Sequence, residues 1–208
     1  MSVTVKICGI TSREDAFCAV DSGANALGFV FHPPSPRALS VEQASLICGE
    51  LPPWVARVGV FVNPTEQLVQ AAVNACGLTI LQWHGEETPE FCVQFGLLCM
   101  KAFRLRDRES LGAIADYGTN AILLDAYNPG LRGGTGEVCD WGLAIEAKKF
   151  GRPIFLAGGL TPENIGAAIQ QVRPFGVDVS SGVEASPGKK DHDKVRRFIA
   201  AAKAAAIA

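Results

Sequence analysis

Short apolar runs alternate with longer segments in which apolar residues recur at i, i+3 and i+4 along almost the whole chain. The short runs are rich in β-branched residues and predict strands, whereas segments such as the one around Leu68, Ala71 and Ala72 predict amphipathic helices. The predicted strands are Val3–Cys8, Ala26–Phe31, Ala56–Val62, Thr79–Trp83, Leu98–Phe103, Ala121–Asp125, Pro153–Ala157 and Val177–Ser180.

Helix starts are marked by cap residues. The stretches 11–14 (Thr-Ser-Arg-Glu) and 40–43 (Ser-Val-Glu-Gln) read as capping boxes, in which a hydroxyl and a Glu or Gln side chain satisfy amides reciprocally. Three further starts place a cap residue before a proline suited to the first helical turn. These pairs are Asn63-Pro64, Thr88-Pro89 and Thr161-Pro162.

Glycines mark the ends of the predicted helices, because glycine adopts a positive φ at low cost. They lie at positions 23, 49, 77, 96, 118, 151 and 176, each shortly before a predicted strand. Seven such glycine-marked helix ends connect eight strand–helix units. Strict alternation of strands and helices implies parallel strands with right-handed crossovers. The pattern predicts a single-domain α/β protein over residues 1–208, a (β/α)8 TIM barrel. An open doubly wound sheet is the alternative, although it usually has fewer strands at this length.

Composition narrows the function. The net charge of −2 over 208 residues leaves no basic stripe to bind nucleic acid. No apolar run approaches the roughly 20 residues that span a bilayer, and the first residues do not resemble a signal peptide. Seven cysteines without CxxC spacing and only three histidines favour reduced thiols in a cytoplasm over disulfides or a metal site.

Chemically distinctive residues concentrate in the strand-to-helix turns, whereas the helix-to-strand turns carry little besides glycine. In a parallel barrel the strand-to-helix turns open on the carboxyl-end face, where ligands bind. The polar and glycine-rich residues of these turns are Cys8, Arg37, His84, Arg104, Asp125, Gly133–Gly136, Gly158-Gly159 and Ser181-Gly182. We therefore expect the functional site at that face.

Two glycine turns follow the last two strands. Gly158-Gly159 and Ser180-Ser181-Gly182 present bare amides where such barrels usually bind phosphate. Either pair alone is equally consistent with a tight turn, but two in adjacent turns favour a phosphate site. Gly133–Gly136 is either a flap that closes over a ligand or a flexible loop.

Strand parity predicts which side chains face the barrel interior. On the first strand the apolar set Val3, Val5 and Ile7 suits the helix-covered face, so Lys6 and Cys8 should point inward. Asp178 points inward on the eighth strand, next to the first. We expect Lys6 to lie near Asp178, because a lone buried charge is prohibitive.

Two further residues have open local interpretations. Asp125 follows four apolar residues and is either a structural cap or a group at the pocket rim, where desolvation would keep it protonated as a general acid requires. Arg37 lies on a proline-stiffened loop and is either an ordinary surface arginine or a bidentate clamp for a carboxylate.

Taken in order, these stretches resemble the phosphoribosylanthranilate isomerase family over nearly the whole chain. The matching motifs are KICGIT, GFVFHPPSPR, VGVFVN, LQWHG, LLDA, GGTG, LAGGLTPENI and GVDVSSGVEASPGKKD. Trp83 stands where the family more often has leucine, and His32 and Pro33 depart from the commoner loop, which leaves Arg37 in place.

The resemblance implies an Amadori rearrangement of N-(5-phosphoribosyl)anthranilate in tryptophan biosynthesis. Cys8 would be the general base and Asp125 the general acid, and Arg37 would hold the anthranilate carboxylate. The remaining residues would bind substrate, with His84 and Asp178 lining the pocket and the phosphate held at Gly158, Gly159, Ser181 and Gly182. The reaction moves only protons, so we expect no cofactor and no metal.

The proton chemistry suits these residue types. The first and sixth strands would place base and acid on opposite flanks of the sugar, and Cys8 would have to be partly ionised at neutral pH. Two alternatives remain, another phosphosugar enzyme on this barrel and a non-catalytic sensor of phosphorylated metabolites. The sequence does not distinguish a monomer from a homodimer.

Overall fold

Eight parallel strands close into a barrel in chain order, with the last strand hydrogen-bonded to the first. This computed structural model describes residues 3–105, 107–126 and 141–207. The closed barrel confirms the predicted fold and excludes the open sheet. The strands are β1 (Thr4–Cys8), β2 (Ala26–Val30), β3 (Ala56–Phe61), β4 (Ile80–Trp83), β5 (Leu98–Leu105), β6 (Ala121–Ala126), β7 (Ile154–Leu156) and β8 (Gly176–Val179).

Helices cover the outside of the barrel, and none in the described ranges is long and apolar enough to cross a membrane. They are α1 (Arg13–Asp21), α2 (Val41–Gly49), α3 (Glu66–Cys76), α4 (Pro89–Val93), α5 (Trp141–Glu146), α6 (Ile165–Val172) and α7 (His192–Ile207). The fifth unit departs from the expected pattern, since β5 is followed by the 3₁₀ helix Glu109–Asp116. After β8 the chain forms a short 3₁₀ turn, Ser181–Val183, and a hairpin of β9 (Glu184–Ser186) and β10 (Lys189–Lys190).

Two of the five predicted helix starts are confirmed. Ser40 caps α2 in a reciprocal capping box with Gln43. Thr88 caps α4, and Pro89 occupies the first helical turn. In both cases the cap hydroxyl directly precedes the helical run, which is the arrangement that the local sequence requires.

The other three predicted starts are wrong by one to three residues. Ser12, rather than Thr11, accepts the amide hydrogen bond that caps α1. Thr65 caps α3, because Asn63 adopts a positive φ of 47°. The stretch after Thr161 first forms a turn, and α6 begins only after Asn164. Adjacent hydroxyl and amide side chains compete for the same cap, and tertiary contacts decide between them.

Four of the seven glycines predicted at helix ends have positive φ values, between 57° and 95°. They are Gly23, Gly77, Gly96 and Gly151. The remaining three have no positive φ. Gly49 is the last residue of α2, Gly118 has no left-handed φ, and Gly176 is the first residue of β8. At the end of α6 the left-handed position is taken by Arg173, with φ 48°.

Alternation along β1 separates two apolar layers as predicted. Val5 and Ile7 belong to the large core between the strands and the helices. Cys8 faces the interior of the barrel, where it packs against Val30 and Val60. The inward direction of Cys8 therefore follows from the period of two along the strand.

Trp83 is fully buried in the outer core beside β4. Its ring lies 5.6, 5.4 and 5.5 Å from those of Phe61, Phe91 and Phe95, and its Nε1 donates to the carbonyl of Cys92 at 3.0 Å. Phe91 and Cys92 belong to α4, so the indole attaches this short helix to the barrel wall.

We expect Trp83→Leu to lower the free energy of unfolding by about 2 kcal/mol, because leucine fills less of the aromatic cluster and leaves a cavity. Urea denaturation monitored by circular dichroism measures the change. Trp83→Phe is the matched control, since it loses the same hydrogen bond to Cys92 but keeps an aromatic ring and leaves a smaller cavity, and it should cost about 1 kcal/mol. Equal losses in the two variants would contradict the packing explanation.

Candidate active site

The predicted site residues meet at the carboxyl ends of the strands. Cys8 is the last residue of β1, Asp125 is the next-to-last residue of β6, and His84 directly follows β4. Because parallel strands end at one face of the barrel, these three side chains lie around a common mouth.

Lys6 and Asp178 form the predicted ion pair inside the barrel. They are register partners on β1 and β8, and Lys6 Nζ lies 2.8 Å from Asp178 Oδ1. Lys6 is completely buried and Asp178 is 8% exposed. The prediction of a paired charge is confirmed, and the carboxylate expected to line the pocket is held from below by Lys6.

Cys8 is 8% exposed, so its thiol is buried at the edge of the mouth. Burial raises the pKa of Cys8 above its ordinary value, and the nearby Lys6 and Lys190 cations offset only part of that effect. The expectation of a partly ionised thiol stays a prediction, and burial opposes it in the protein without substrate.

Arg37 makes a bidentate carboxylate contact, although the partner is a residue of this chain. Its Nε and Nη2 donate to the two carboxylate oxygens of Glu184 at 2.8 and 2.7 Å. Gly9, with φ 74°, leaves the space that Arg37 occupies, because a Cβ there would lie 2.5 Å from the Arg37 Cδ. Arg37 is thus a bidentate partner of Glu184 rather than an ordinary surface arginine, and its binding of a substrate carboxylate stays a prediction.

Glu184 also binds Lys190, whose Nζ lies 2.9 Å from Glu184 Oε1. The same ammonium donates to the carbonyl of Cys8 at 2.6 Å and to that of Ser180 at 3.3 Å. Lys190 therefore connects the ends of β1 and β8, and Glu184 joins it to Arg37. Burial, with a smaller contribution from the Arg37 cation, holds the pKa of Lys190 below its ordinary value, although Glu184 opposes this effect.

Glu184 and Lys190 have no role among the expectations drawn from the sequence. Both lie after Ser181-Gly182 in the motif GVDVSSGVEASPGKKD, which was one of the motifs that carried the family resemblance. Their place in that motif was the signal that could have identified them. What the sequence did not show is that the β9–β10 hairpin folds back over the end of β1 and buries both charges.

His84 contacts Asp125 and Gln82. Its Nε2 lies 3.4 Å from Asp125 Oδ2, and its Nδ1 lies 3.1 Å from Gln82 Nε2. Gln82, two residues before His84 in the motif LQWHG, is a further residue to which the sequence motifs assigned no role, and its Oε1 is buried with no hydrogen-bond partner among the described residues.

The two late glycine turns touch each other. Gly158 and Gly159 have φ values of 79° and 63°, so the tight-turn interpretation holds for this pair. Asn164 Nδ2 donates to the carbonyl of Gly159 at 2.8 Å. A Cβ on Gly182 would lie 1.8 Å from the carbonyl oxygen of Leu160, so the turn after β8 requires glycine to fit against the turn after β7.

Phosphate binding at these turns stays a prediction. The Gly158 and Gly159 amides donate no hydrogen bond to another described residue, and Ser181 and Gly182 open a 3₁₀ turn beside them. The Gly133–Gly136 segment, predicted to be a flap or a flexible loop, lies outside the described residues.

The fold and this mouth define a class, the (β/α)8-barrel enzymes whose chemistry takes place at the carboxyl ends of the strands. Residues 5–201 match the family model described as N-(5'phosphoribosyl)anthranilate (PRA) isomerase. The chain belongs to the N-(5'-phosphoribosyl)anthranilate isomerase family.

Individual relatives agree with this assignment. The N-(5'-phosphoribosyl)anthranilate isomerase of Citrifermentans bemidjiense is 55% identical over 203 residues, which is 98% of either chain. The crystal structure of phosphoribosyl anthranilate isomerase from Thermotoga maritima superimposes with a TM-score of 0.92 at 46% identity, covering 97% of this chain and 99% of that one.

Two further crystal structures cover 97% of this chain and 99% of their own. One is a phosphoribosyl anthranilate isomerase in complex with reduced 1-(o-carboxyphenylamino)-1-deoxyribulose 5-phosphate, with a TM-score of 0.88 and 45% identity. The other shows monomers generated from the dimeric Thermotoga maritima enzyme, with a TM-score of 0.87 and 44% identity.

We expect Glu184→Gln to lower the free energy of unfolding by about 3 kcal/mol at neutral pH, because it leaves two cations without their shared carboxylate. Burial raises the pKa of Glu184, but Arg37 and Lys190 outweigh burial and hold it below its usual value. The stabilisation is therefore present above the ordinary glutamate range and is lost as the pH falls through the lower folded value. Urea denaturation from pH 7 to pH 3 measures both effects.

The matched control is Glu50→Gln, which breaks an exposed ion pair with Arg13 and should change stability little. A Glu184→Gln variant whose deficit does not narrow toward low pH would contradict the assignment of the stabilisation to the Glu184 charge.

Proposed function

We propose that the chain converts N-(5-phosphoribosyl)anthranilate to 1-(2-carboxyphenylamino)-1-deoxyribulose 5-phosphate in tryptophan biosynthesis, with Cys8 as general base and Asp125 as general acid. The observation that carries the proposal is the arrangement of the mouth. Cys8 on β1 and Asp125 on β6 are separated by β7 and β8, and the glycine turns after those two strands lie between them. Family membership and the product-like ligand of a related structure support the same reaction.

The proton movements follow from these positions. Asp125 donates a proton to the ring oxygen of the sugar while the aniline nitrogen pushes the ring open, which produces a protonated iminium. Cys8 releases its own proton to solvent and then, as the thiolate, removes the hydrogen on the second carbon, and the electron pair of that C–H bond neutralises the iminium. The resulting enaminol tautomerises to the ketose. No electron leaves the substrate, so the net change is a transfer of protons.

The positive charge of the iminium opposes the effect of burial on the pKa of Cys8. Because burial holds the pKa of Cys8 above its ordinary value, a further positive charge nearby favours ionisation of the thiol, and the iminium is such a charge. The base is then activated most strongly when the sugar is open. His84, in contact with Asp125, orients the carboxyl group of the acid.

Both ends of the substrate have a binding group in this proposal. The anthranilate carboxylate binds Arg37, whose guanidinium contacts Glu184 through Nε and Nη2 and thereby keeps a fixed direction. The phosphate binds the amides of Gly158, Gly159, Ser181 and Gly182. Asp178 lines the floor of the pocket. Anchoring at two ends orients the sugar between base and acid.

We also propose that the enzyme works in the cytoplasm and forms a homodimer. Six cysteines of the described residues are free, as expected in a reducing compartment. At the amino-terminal end of the barrel an apolar cavity of about 230 Å³ opens between exposed Leu98 and Phe175. Trp54, 83% exposed, lies at the same end just before β3. A second copy provides an apolar partner for both features, and the Thermotoga maritima relative is dimeric.

We expect Cys8→Ser and Asp125→Asn each to lower kcat by about 10²- to 10⁴-fold, because each removes a group that acts on a proton in the transition state. The fluorescence decrease on consumption of N-(5-phosphoribosyl)anthranilate measures turnover, and affinity for a reduced product analogue should stay within a few-fold. Inactivity of the unmodified chain would restore the sensor and the other phosphosugar enzymes as explanations. Near-normal turnover in Cys8→Ser would remove the thiol from the mechanism.

We expect Trp54→Ala to shift the protein from dimer to monomer, because the exposed indole is the largest apolar group at the amino-terminal end. Light scattering after size-exclusion chromatography at micromolar concentrations measures the mass. Leu46→Ala, at an exposed position on α2, is the control and should leave the mass unchanged. A monomeric unmodified chain would contradict the proposed dimer.

A further inference from the structure

We propose that Lys6 is the positioning residue for Cys8, and that its ammonium group holds the thiolate form of Cys8 at the mouth of the barrel. The inference rests on the proposed role of Cys8 as the base. It assigns a function to a charge that lies below the reacting groups and that substrate does not reach, since Lys6 is completely buried.

The geometry of β1 and β2 brings the two side chains together. Lys6 and Cys8 are two residues apart on β1, so both face the interior, and Gly28 is the register partner of Cys8 on β2. A Cβ on Gly28 would lie 2.8 Å from Cys8 Sγ and 3.0 Å from Lys6 Nζ. Both atoms therefore occupy the space that any larger residue at position 28 would need, and glycine leaves the ammonium and the sulfur side by side.

Stability alone is a weak reason for this arrangement. A buried ion pair loses solvation on both partners, and well-packed apolar residues of similar volume are often as stable or more so. Lys6 has one ion-pair partner among the described residues, Asp178, and its ammonium lies inside the barrel beside Gly28 rather than in the outer core. A charge in that position costs stability and acts on the group above it.

The charged groups near Cys8 have opposite effects on the pKa of its thiol. Burial raises the pKa of Cys8, and Lys6 is the largest of the charges that lower it. Asp178, on β8, raises it, and Lys190, on β10, lowers it. The Arg37 guanidinium, on the loop after β2, is a further cation that interacts with Cys8. Lys6 thus opposes both burial and its own counterion.

Lys6 does not take part in the proton transfer itself. Its pKa is raised above the ordinary lysine value, with burial lowering it and Asp178 and then Cys8 outweighing burial. The ammonium therefore stays protonated when Cys8 loses its proton and when the sulfur later accepts one from the sugar. Its effect is to lower the energy of the thiolate between those two events.

The test is the pH dependence of Cys8 alkylation by iodoacetamide in the full chain without substrate, with the modified residue identified by mass spectrometry. The midpoint of that dependence reports ionisation of the thiol and does not require turnover. We expect Lys6→Met to raise the midpoint by about one pH unit, a roughly tenfold slower alkylation at pH 7. We expect Asp178→Asn to lower it, because the opposing carboxylate is removed.

The opposite midpoint shifts expected for Lys6→Met and Asp178→Asn distinguish an electrostatic role of Lys6 from a structural one. A barrel that is merely loosened by loss of the ion pair would expose Cys8 and shift both single variants in the same direction, which would overturn the proposal. Lys6→Arg keeps the positive charge and should restore part of the midpoint shift. Lys101→Met is the matched control, since Lys101 is a buried lysine paired with Glu87 on the other side of the barrel, and it should leave the midpoint unchanged.

Folding is controlled with the double variant Lys6→Met/Asp178→Asn, which leaves no unpaired charge in the barrel. Because Lys6 acts on Cys8 more strongly than Asp178 does, the double variant should still show a raised midpoint. An unchanged midpoint in this variant or in Lys6→Met overturns the inference, even if Cys8→Ser is inactive and the proposed function holds. Conversely, full activity of Cys8→Ser would end the proposed mechanism, whereas the midpoint shifts would still report whether Lys6 acts on the thiol.

Discussion

One buried ion pair, Lys6 with Asp178, crosses the seam at which the last strand meets the first. Closing a barrel brings together residues from the two ends of the chain, and here the closure places opposite charges in register. Two charges removed from water must stay paired. The seam therefore cannot shift register without leaving Lys6 alone in an apolar interior, and the same pair forms the floor beneath Cys8.

Above the Lys6–Asp178 pair, the carboxylate of Glu184 links two cations, Arg37 and Lys190, that come from different parts of the chain. Glu184 binds Arg37, which lies on the loop after β2, and Lys190, which holds the backbone at the end of β1. The group proposed to bind the substrate carboxylate and the strand that carries the proposed base are thus held by the same hairpin. This arrangement gives the mouth a fixed geometry before substrate enters, which reduces the orientation that binding has to supply.

Ionisation of Cys8 is a balance in this network. Burial raises the pKa of the thiol, and the cations around it lower that pKa by less than burial raises it. A permanently ionised thiol would be a stronger nucleophile toward unrelated electrophiles. Burial favours the protonated thiol and so protects it from such electrophiles when no further cation lies beside it, which gives the unfavourable burial a chemical use.

The sequence by itself determined the features that depend on local periodicity. The alternation along β1 predicted the inward direction of Lys6 and Cys8, and the repeat of strand and helix predicted the closed barrel, because both follow from the period of the backbone. The ordered motifs identified the family. Only the tertiary structure decided which hydroxyl caps a helix, that Glu184 is the partner of Arg37, and that burial raises the pKa of Cys8. These depend on contacts between residues distant in the chain, such as Arg37 and the β9–β10 hairpin, and on the exclusion of water around them, which no local pattern of residues encodes.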